Sequence, residues 1–365
     1  MPLYRKASHY CGVFLFVALL LLMANTPQKK KVSYPVSAPF YRYLGETSRA
    51  QNIPVHYSDL LRFNGSSPLR DKKGVDTLWL TVLYSPSEMI ELGRELTGIY
   101  AMLKASGDIS VMEHLHVERI DFCTFGNSKP FRIKIVNNFN DNYDYYYIKL
   151  ADASRIYGLE WEHVLSPNRI NYFVDKNTLV EEHIVGIPGD QFIKHHFKDK
   201  ELNRIRLAKE FVKFNERCFV RLLGDMRSYN YIVDVTADFE DTQYRLRAID
   251  FDQQCFEGKK NLYMPQYFKE NLPFVELCMQ QINHETEKQY KSEERSMMAR
   301  RIKTSKYRVM QLLDVMMKDE LSLPEKETQL KTELAEHYKD AEFLKCKNMG
   351  EIMRKSLNLL VDGIL

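Results

Sequence analysis

The chain has 365 residues, enough for two domains or lobes around substantial cores. Its 52 Lys and Arg stand against 49 Asp and Glu, a formal charge of +3, which argues against a general nucleic-acid binder. The cysteines (Cys11, Cys123, Cys218, Cys255, Cys278 and Cys346) are scattered with no pair at metal-ligand spacing, so they suit a reduced compartment and mark neither a zinc site nor a catalytic thiol.

Residues 1–31 differ from the rest. Cys11 to Ala24 is a continuous apolar run, preceded by Arg5 and Lys6 and followed by Lys29, Lys30 and Lys31. It falls short of the roughly 20 residues of a full span, which predicts a membrane anchor or a signal-like segment. The heavier positive flank follows the run, so a retained anchor places the body on the cytoplasmic side; cleavage and export is the alternative. Residues 32–115 read as a linker and N-terminal extension. Tyr34 to Arg70 is rich in Pro, Ser, Tyr and Asn and predicts an extended linker, Thr77 to Tyr84 a strand, and Pro86 to Lys104 an amphipathic helix.

Three strand-like runs follow: His116 to Phe125, Phe131 to Val136 and Tyr143 to Leu150. The turn after the first, around Gly126, Asn127 and Ser128, is either an anion-binding concavity of backbone amides with Lys129 beside it or a plain hairpin turn. In the third run alternation puts Lys149 on the face opposite Ile148, where it can reach a nucleotide phosphate. Ser154 to Leu165 predicts a short helix, with Glu160 favoured over Glu162 as the partner of Lys149. Arg169 to Val174 and Thr178 to Ile184 supply two more strands, and Val185 to Gly189 a connector.

The densest chemistry lies in Leu223-Gly224-Asp225-Met226-Arg227-Ser228-Tyr229-Asn230, followed by Ala248-Ile249-Asp250-Phe251-Asp252. An aspartate, an asparagine five residues on and a second aspartate closing a strand are the groups needed to take a proton from a hydroxyl and to hold magnesium on a nucleotide. Between them, Tyr231 to Val235 and Tyr244 to Ile249 read as hairpin arms that return Asp250 to Asn230. Arg227 is placed either to contact a transferred phosphoryl group or to form a surface salt bridge. Asp252 either supports the metal, the favoured reading, or bonds the loop. From Gln266 onward the pattern is mostly helical, broken at Pro324. The cluster Arg295, Arg300, Arg301 and Lys303 lies beside Glu293 and Glu294 and reads as a solvated helical face.

Over roughly residues 116 to 300 the chain resembles the protein-kinase-like superfamily, most closely its aminoglycoside phosphotransferase and choline kinase branch. The resemblance rests on Lys149, Glu160, the hinge from Glu182 to Gly189, Gly224-Asp225, Asn230 and Ile249-Asp250-Phe251-Asp252, in that order. It departs where Leu223 replaces the histidine usual before Gly-Asp, where one glycine stands in the phosphate loop, and where no Ala-Pro-Glu follows Asp252. The resemblance implies a two-lobed α+β fold, with an antiparallel N-lobe over 116–185 and a mainly helical C-lobe over 186–365. It implies an ATP- and Mg2+-dependent phosphotransferase acting on a hydroxyl-bearing small molecule. Asp225 and Arg227 would be catalytic; Lys149, Glu160, Gly126, Asn127, Ser128 and Glu182 would bind the nucleotide; Asn230, Asp250 and Asp252 would hold the metal. An atypical protein kinase and a non-catalytic kinase-fold binding module are the alternatives. Oligomeric state and acceptor identity are not legible.

Overall fold

Alternating apolar residues build the main sheet of the protein, which was determined as a computed structural model describing residues 31–104, 109–125, 128–237 and 242–365. The segment from Cys11 to Ala24, together with Gly126 and Asn127, lies outside the described residues. The fold is α+β. Its strands are β1 (Gly65–Arg70), β2 (Asp76–Leu83), β3 (Leu115–Cys123), β4 (Phe131–Asn137), β5 (Tyr143–Leu150), β6 (Tyr172–Asp175) and β7 (Thr178–Glu182). They form a seven-stranded sheet in the order β1-β2-β3-β4-β5-β7-β6, with every neighbouring pair antiparallel.

One face of this sheet is the core. Phe131, Ile133, Ile135, Tyr146 and Ile148 pack with Leu96, Ile99 and Leu103 of helix α3 (Pro86–Lys104). A fully buried side chain of this size contributes roughly 1.5–3 kcal/mol, so this layer rather than strand pairing holds the unit together. Strand periodicity then turns Tyr145, Tyr147 and Lys149 to the opposite face.

The chain forms two units: Ser33–Ile184 with Tyr307–Leu321, and Val185–Lys306 with Ser322–Leu365. Two expectations are corrected here. Residues 34–70 are not an extended linker but contain helices α1 (Ala38–Glu46) and α2 (Tyr57–Leu60) and strand β1. Ser37 caps α1 by accepting from the Phe40 amide at 3.2 Å, and Phe40 stacks on Tyr157 with ring centroids 3.8 Å apart. The Pro and Ser that suggested a linker are the cap and first turn of a helix whose Phe40, Tyr43 and Leu44 are buried. The other correction concerns residues 307–321, expected among the C-terminal helices. They join the sheet unit, because Arg308 of α9 (Lys306–Met316) bonds Glu160 at 2.8 Å and Asp319 accepts from the Tyr157 hydroxyl at 2.7 Å.

The second unit carries a three-stranded sheet, β10-β9-β8, made from β8 (Ile187–Pro188), β9 (Tyr231–Ala237) and β10 (Thr242–Ala248). Around it stand α5 (Gly189–His195), α6 (Arg204–Val220), α7 (Leu272–Gln281), α8 (His284–Thr304), α10 (Pro324–Tyr338) and α11 (Met349–Asn358). Pro324 opens α10, where a missing N–H costs nothing. No helix among the described residues is long and apolar enough to cross a membrane.

Candidate functional site

Lys149 stands on β5 of the sheet unit, 6% exposed, and its Nζ lies 2.6 Å from Glu181 Oε2. Glu181 is on β7, hydrogen-bonded to β5 through the pairs Ile148 with Val180 and Lys149 with Leu179. Arg155, on helix α4 (Ala153–Leu165), also bonds Glu181, through Nε and, at 3.0 Å, through Nη2. Burial works to raise the Glu181 carboxyl, but Arg155 and Lys149 outweigh it and bring it down to about 2.

The partner expected for Lys149 was Glu160, and here the structure corrects the sequence reading. Glu160 lies five residues after Arg155, about 140° further round the helix, so the two cannot face the same strand. Its carboxylate is fully buried and takes hydrogen bonds from Tyr43 at 2.7 Å, Tyr172 at 2.5 Å, Arg308 at 2.8 Å and Arg49 at 3.3 Å. Burial alone would raise this carboxyl; Arg308, Tyr172 and Arg49 instead hold it below the ordinary range. Glu160 thus ties α1, α4, β6 and α9 together.

Glu182, expected to bind nucleotide at the hinge, ends β7 and accepts from the Asn171 amide at 2.7 Å and from Lys104 at 3.2 Å. Beside it, Tyr147 lies 3.1 Å from His183 Nδ1, and burial pushes its phenol up to about 12. The described part of the β3–β4 turn closes with the Cys123 amide donating to the Pro130 carbonyl at 2.9 Å, and Ser128 is half-buried within it.

In the second unit the hairpin forms as its residues suggest. Ala248 pairs with Tyr231, and the Ile249 amide donates to the Asn230 carbonyl at 3.0 Å, which brings the base of the Asp250 segment to Asn230. Asn230 Nδ2 donates to the Asp225 carbonyl at 2.7 Å and to Asp225 Oδ2 at 3.3 Å. Those bonds fix the amide orientation and leave Oδ1 unused by either, an oxygen available as a ligand. Asp225 Oδ1 accepts from Arg227 Nε at 2.9 Å, and Arg227 Nη1 reaches Glu270 Oε1 at 2.8 Å. Arg227 is therefore a bridge between two carboxylates. Burial opposes its charge, but Asp225 and Glu270 hold the guanidinium pKa above its ordinary value. Asp252 donates its amide to Asp250 Oδ1 at 3.0 Å, so the second acid braces the first through the backbone.

The loop itself is strained. Leu222 and Asp225 both lie at φ 56°, in the left-handed region that costs a non-glycine residue energy. Leu223, standing where the resemblance leads one to expect histidine, is fully buried. Bracing comes instead from Asn271, also fully buried, whose Nδ2 donates to Met226 O and Pro265 O at 2.8 Å each and whose Oδ1 accepts from Tyr231 at 2.8 Å. The Pro188-Gly189 turn packs against the same place. A Cβ on Gly189 would lie 2.4 Å from the Tyr231 ring and 2.5 Å from Ser228 O, and the Asp190 amide donates to that same Ser228 carbonyl at 3.0 Å.

Among the described residues no group of three or more His, Cys, Asp and Glu is arranged to hold a metal ion. The donors at hand, the Asn230 amide oxygen and the Asp250 carboxylate, suit magnesium, which takes one or two protein oxygens and completes its shell with phosphate and water. No protein-family model matches the chain, and no curated protein matches it as a relative. Glu181, Glu270 and Asn271 were not among the residues singled out in the sequence. Glu181 is placed beside Lys149 by strand register in the sheet unit, and Glu270 and Asn271 beside the Asp225 loop by loop packing in the second unit, neither of which short motifs carry.

Proposed function

We propose that the protein is a two-lobed kinase-like phosphotransferase that moves the γ-phosphate of ATP, with magnesium, to a hydroxyl of a small molecule. The observation that carries this reading is the locked pair of Asp225 and Asn230, with its bonds of 2.7 Å and 3.3 Å, and the hairpin that returns Asp250 to Asn230. Asp225 orients the acceptor hydroxyl and takes its proton as the new bond forms. Asn230 and Asp250 would hold the ion, whose contribution when bound is to neutralise charge on the phosphate oxygens. Lys149 is assigned to the nucleotide phosphates, its orientation set by Glu181 at 2.6 Å.

A second reading, a kinase-fold binding module without turnover, is favoured by the Arg227 contact. Both Asp225 oxygens are engaged by neighbouring side chains, at 2.9 Å and 3.3 Å, so an incoming hydroxyl must displace one of them. Thermal melting with ATP and magnesium, added separately and together and repeated on Asp250→Asn, separates the readings from having no nucleotide site at all. A magnesium-dependent ATP shift lost in the variant supports a nucleotide site, and acceptor-dependent release of ADP then distinguishes the transferase from the module. No shift at millimolar ATP with the protein folded removes the transferase reading.

A further inference from the structure

Helix α8 carries a groove of about 700 Å³ on residues separate from those of the candidate site. Ser292, Ser296, Arg300 and Thr304 follow one another at four-residue intervals, so their side chains form a row along one side of the helix. Lys303 stands beside the row, and Leu359 and Leu360 after α11 form the opposite wall. No carboxylate lines the groove among the described residues.

Sequence proximity offers Glu293 and Glu294 as neutralising partners for the basic cluster, but the fold directs both elsewhere. Glu293 pairs with Lys213 at 2.9 Å and Lys209 at 3.5 Å, and the buried Glu294 pairs with Arg217 at 3.1 Å. All three of those cations belong to α6. Arg295 is matched by Glu216. Arg300 and Lys303 have no acidic partner among the described residues, and no Asp or Glu occurs in the sequence between Glu294 and Asp314. Cations near a helix C-terminus do favour the helix dipole. That effect explains a charge in the last turn but neither the hydroxyl row nor an acid-free concavity.

We propose that this groove binds a phosphate group. The planar fork of Arg300 and the point charge of Lys303 suit a multiply charged oxyanion, the Ser292 and Ser296 hydroxyls donate to its remaining oxygens while the Thr304 hydroxyl donates to the Arg300 carbonyl at 3.0 Å, and the leucine wall accepts an apolar portion of the same molecule. The phosphate comes either from a soluble phosphate ester or from a phospholipid headgroup.

The test is calorimetric titration of the full chain, kept in a nonionic detergent, with inorganic phosphate, alongside flotation with vesicles of phosphatidylcholine alone or mixed with phosphatidic acid. Arg300→Gln with Lys303→Gln should weaken phosphate binding about tenfold or more, as expected for loss of charge-assisted bonds. Lys288→Gln, which removes a single cation in the first turns of α8, should leave it unaltered. Both groove side chains are exposed, and an unchanged melting temperature shows that the variant is folded. A gain in flotation with phosphatidic acid that the double variant loses identifies a lipid headgroup. Groove-dependent phosphate binding without that gain identifies a soluble ester. Binding that ignores Arg300 and Lys303 in both measurements, or that falls equally in Lys288→Gln, overturns the proposal.

Discussion

Lys149 meets its carboxylate on a neighbouring strand, its Nζ 2.6 Å from Glu181 Oε2, and shares that carboxylate with Arg155. A glutamate holding two buried cations is an electrostatic centre of the sheet unit. Glu181→Gln keeps the shape and removes the charge, and should destabilise the protein by about 3–5 kcal/mol, the usual cost of breaking a buried pair. The same carboxyl titrates near 4.5 when unfolded and near 2 when folded, so its contribution is complete above pH 4.5 and is lost as pH falls toward 2. Urea unfolding across that range should show a falling limb in the wild type that is reduced in the variant.

His163 yields a second pH dependence at milder acidity. Burial, with Arg49 and Arg308 nearby, lowers its imidazole from 6.5 to about 4, and Arg49 Nη2 lies 3.1 Å from Nδ1. The folded state therefore resists protonation that the unfolded chain accepts. Stability from this group is complete above pH 6.5 and declines as pH falls toward 4. His163→Gln, a neutral acceptor, should flatten that interval; an unchanged slope would remove His163 as its cause.

Asn271 makes three buried bonds, and Asn271→Ala strands a hydroxyl and two carbonyls. At about 1–3 kcal/mol for each unsatisfied buried group, the loss should reach several kcal/mol, softened where water enters. Hydrogen exchange should rise around Met226 and Pro265 before it rises on α8.

Gly189→Ala should also destabilise, by roughly 1–3 kcal/mol, because the new methyl meets the Tyr231 ring and the Ser228 carbonyl at 2.4–2.5 Å. Gly93→Ala, at a half-buried position of α3 where the new methyl meets nothing within 4 Å, is the matched control and should be neutral or stabilising.

On the proposed chemistry, Asp225→Asn should lower phosphotransfer by about 10²- to 10⁴-fold, the range for loss of a general base. ATP affinity should remain within a few-fold of wild type, measured by titration with magnesium present.

Much of this architecture is legible where local pattern decides it. The hairpin from Tyr231 to Ala248 and the strands β3 to β5 show themselves because alternating Ile, Val and Tyr must face a core on one side. Residues 34–70 mislead because composition reports turns and caps without reporting that Phe40 finds Tyr157, more than a hundred positions away. Glu160 misleads for a related reason. A helix places its side chains by angle, and which angle faces Lys149 is fixed by packing. Glu293 and Glu294 repeat the lesson on α8, since neighbours in sequence need not share a face.

Asp225 sits at φ 56°, a conformation that glycine adopts without penalty and aspartate does not. The residue best suited to this backbone is therefore not the residue best suited to transfer a proton. On the proposed chemistry, Asp225→Gly would relieve the backbone strain while discarding the carboxylate with its bonds to Arg227 and Asn230, so an eased loop and a loss of transfer would arrive in one substitution. A chain freed from any demand for that carboxylate would have an open route to glycine at this position.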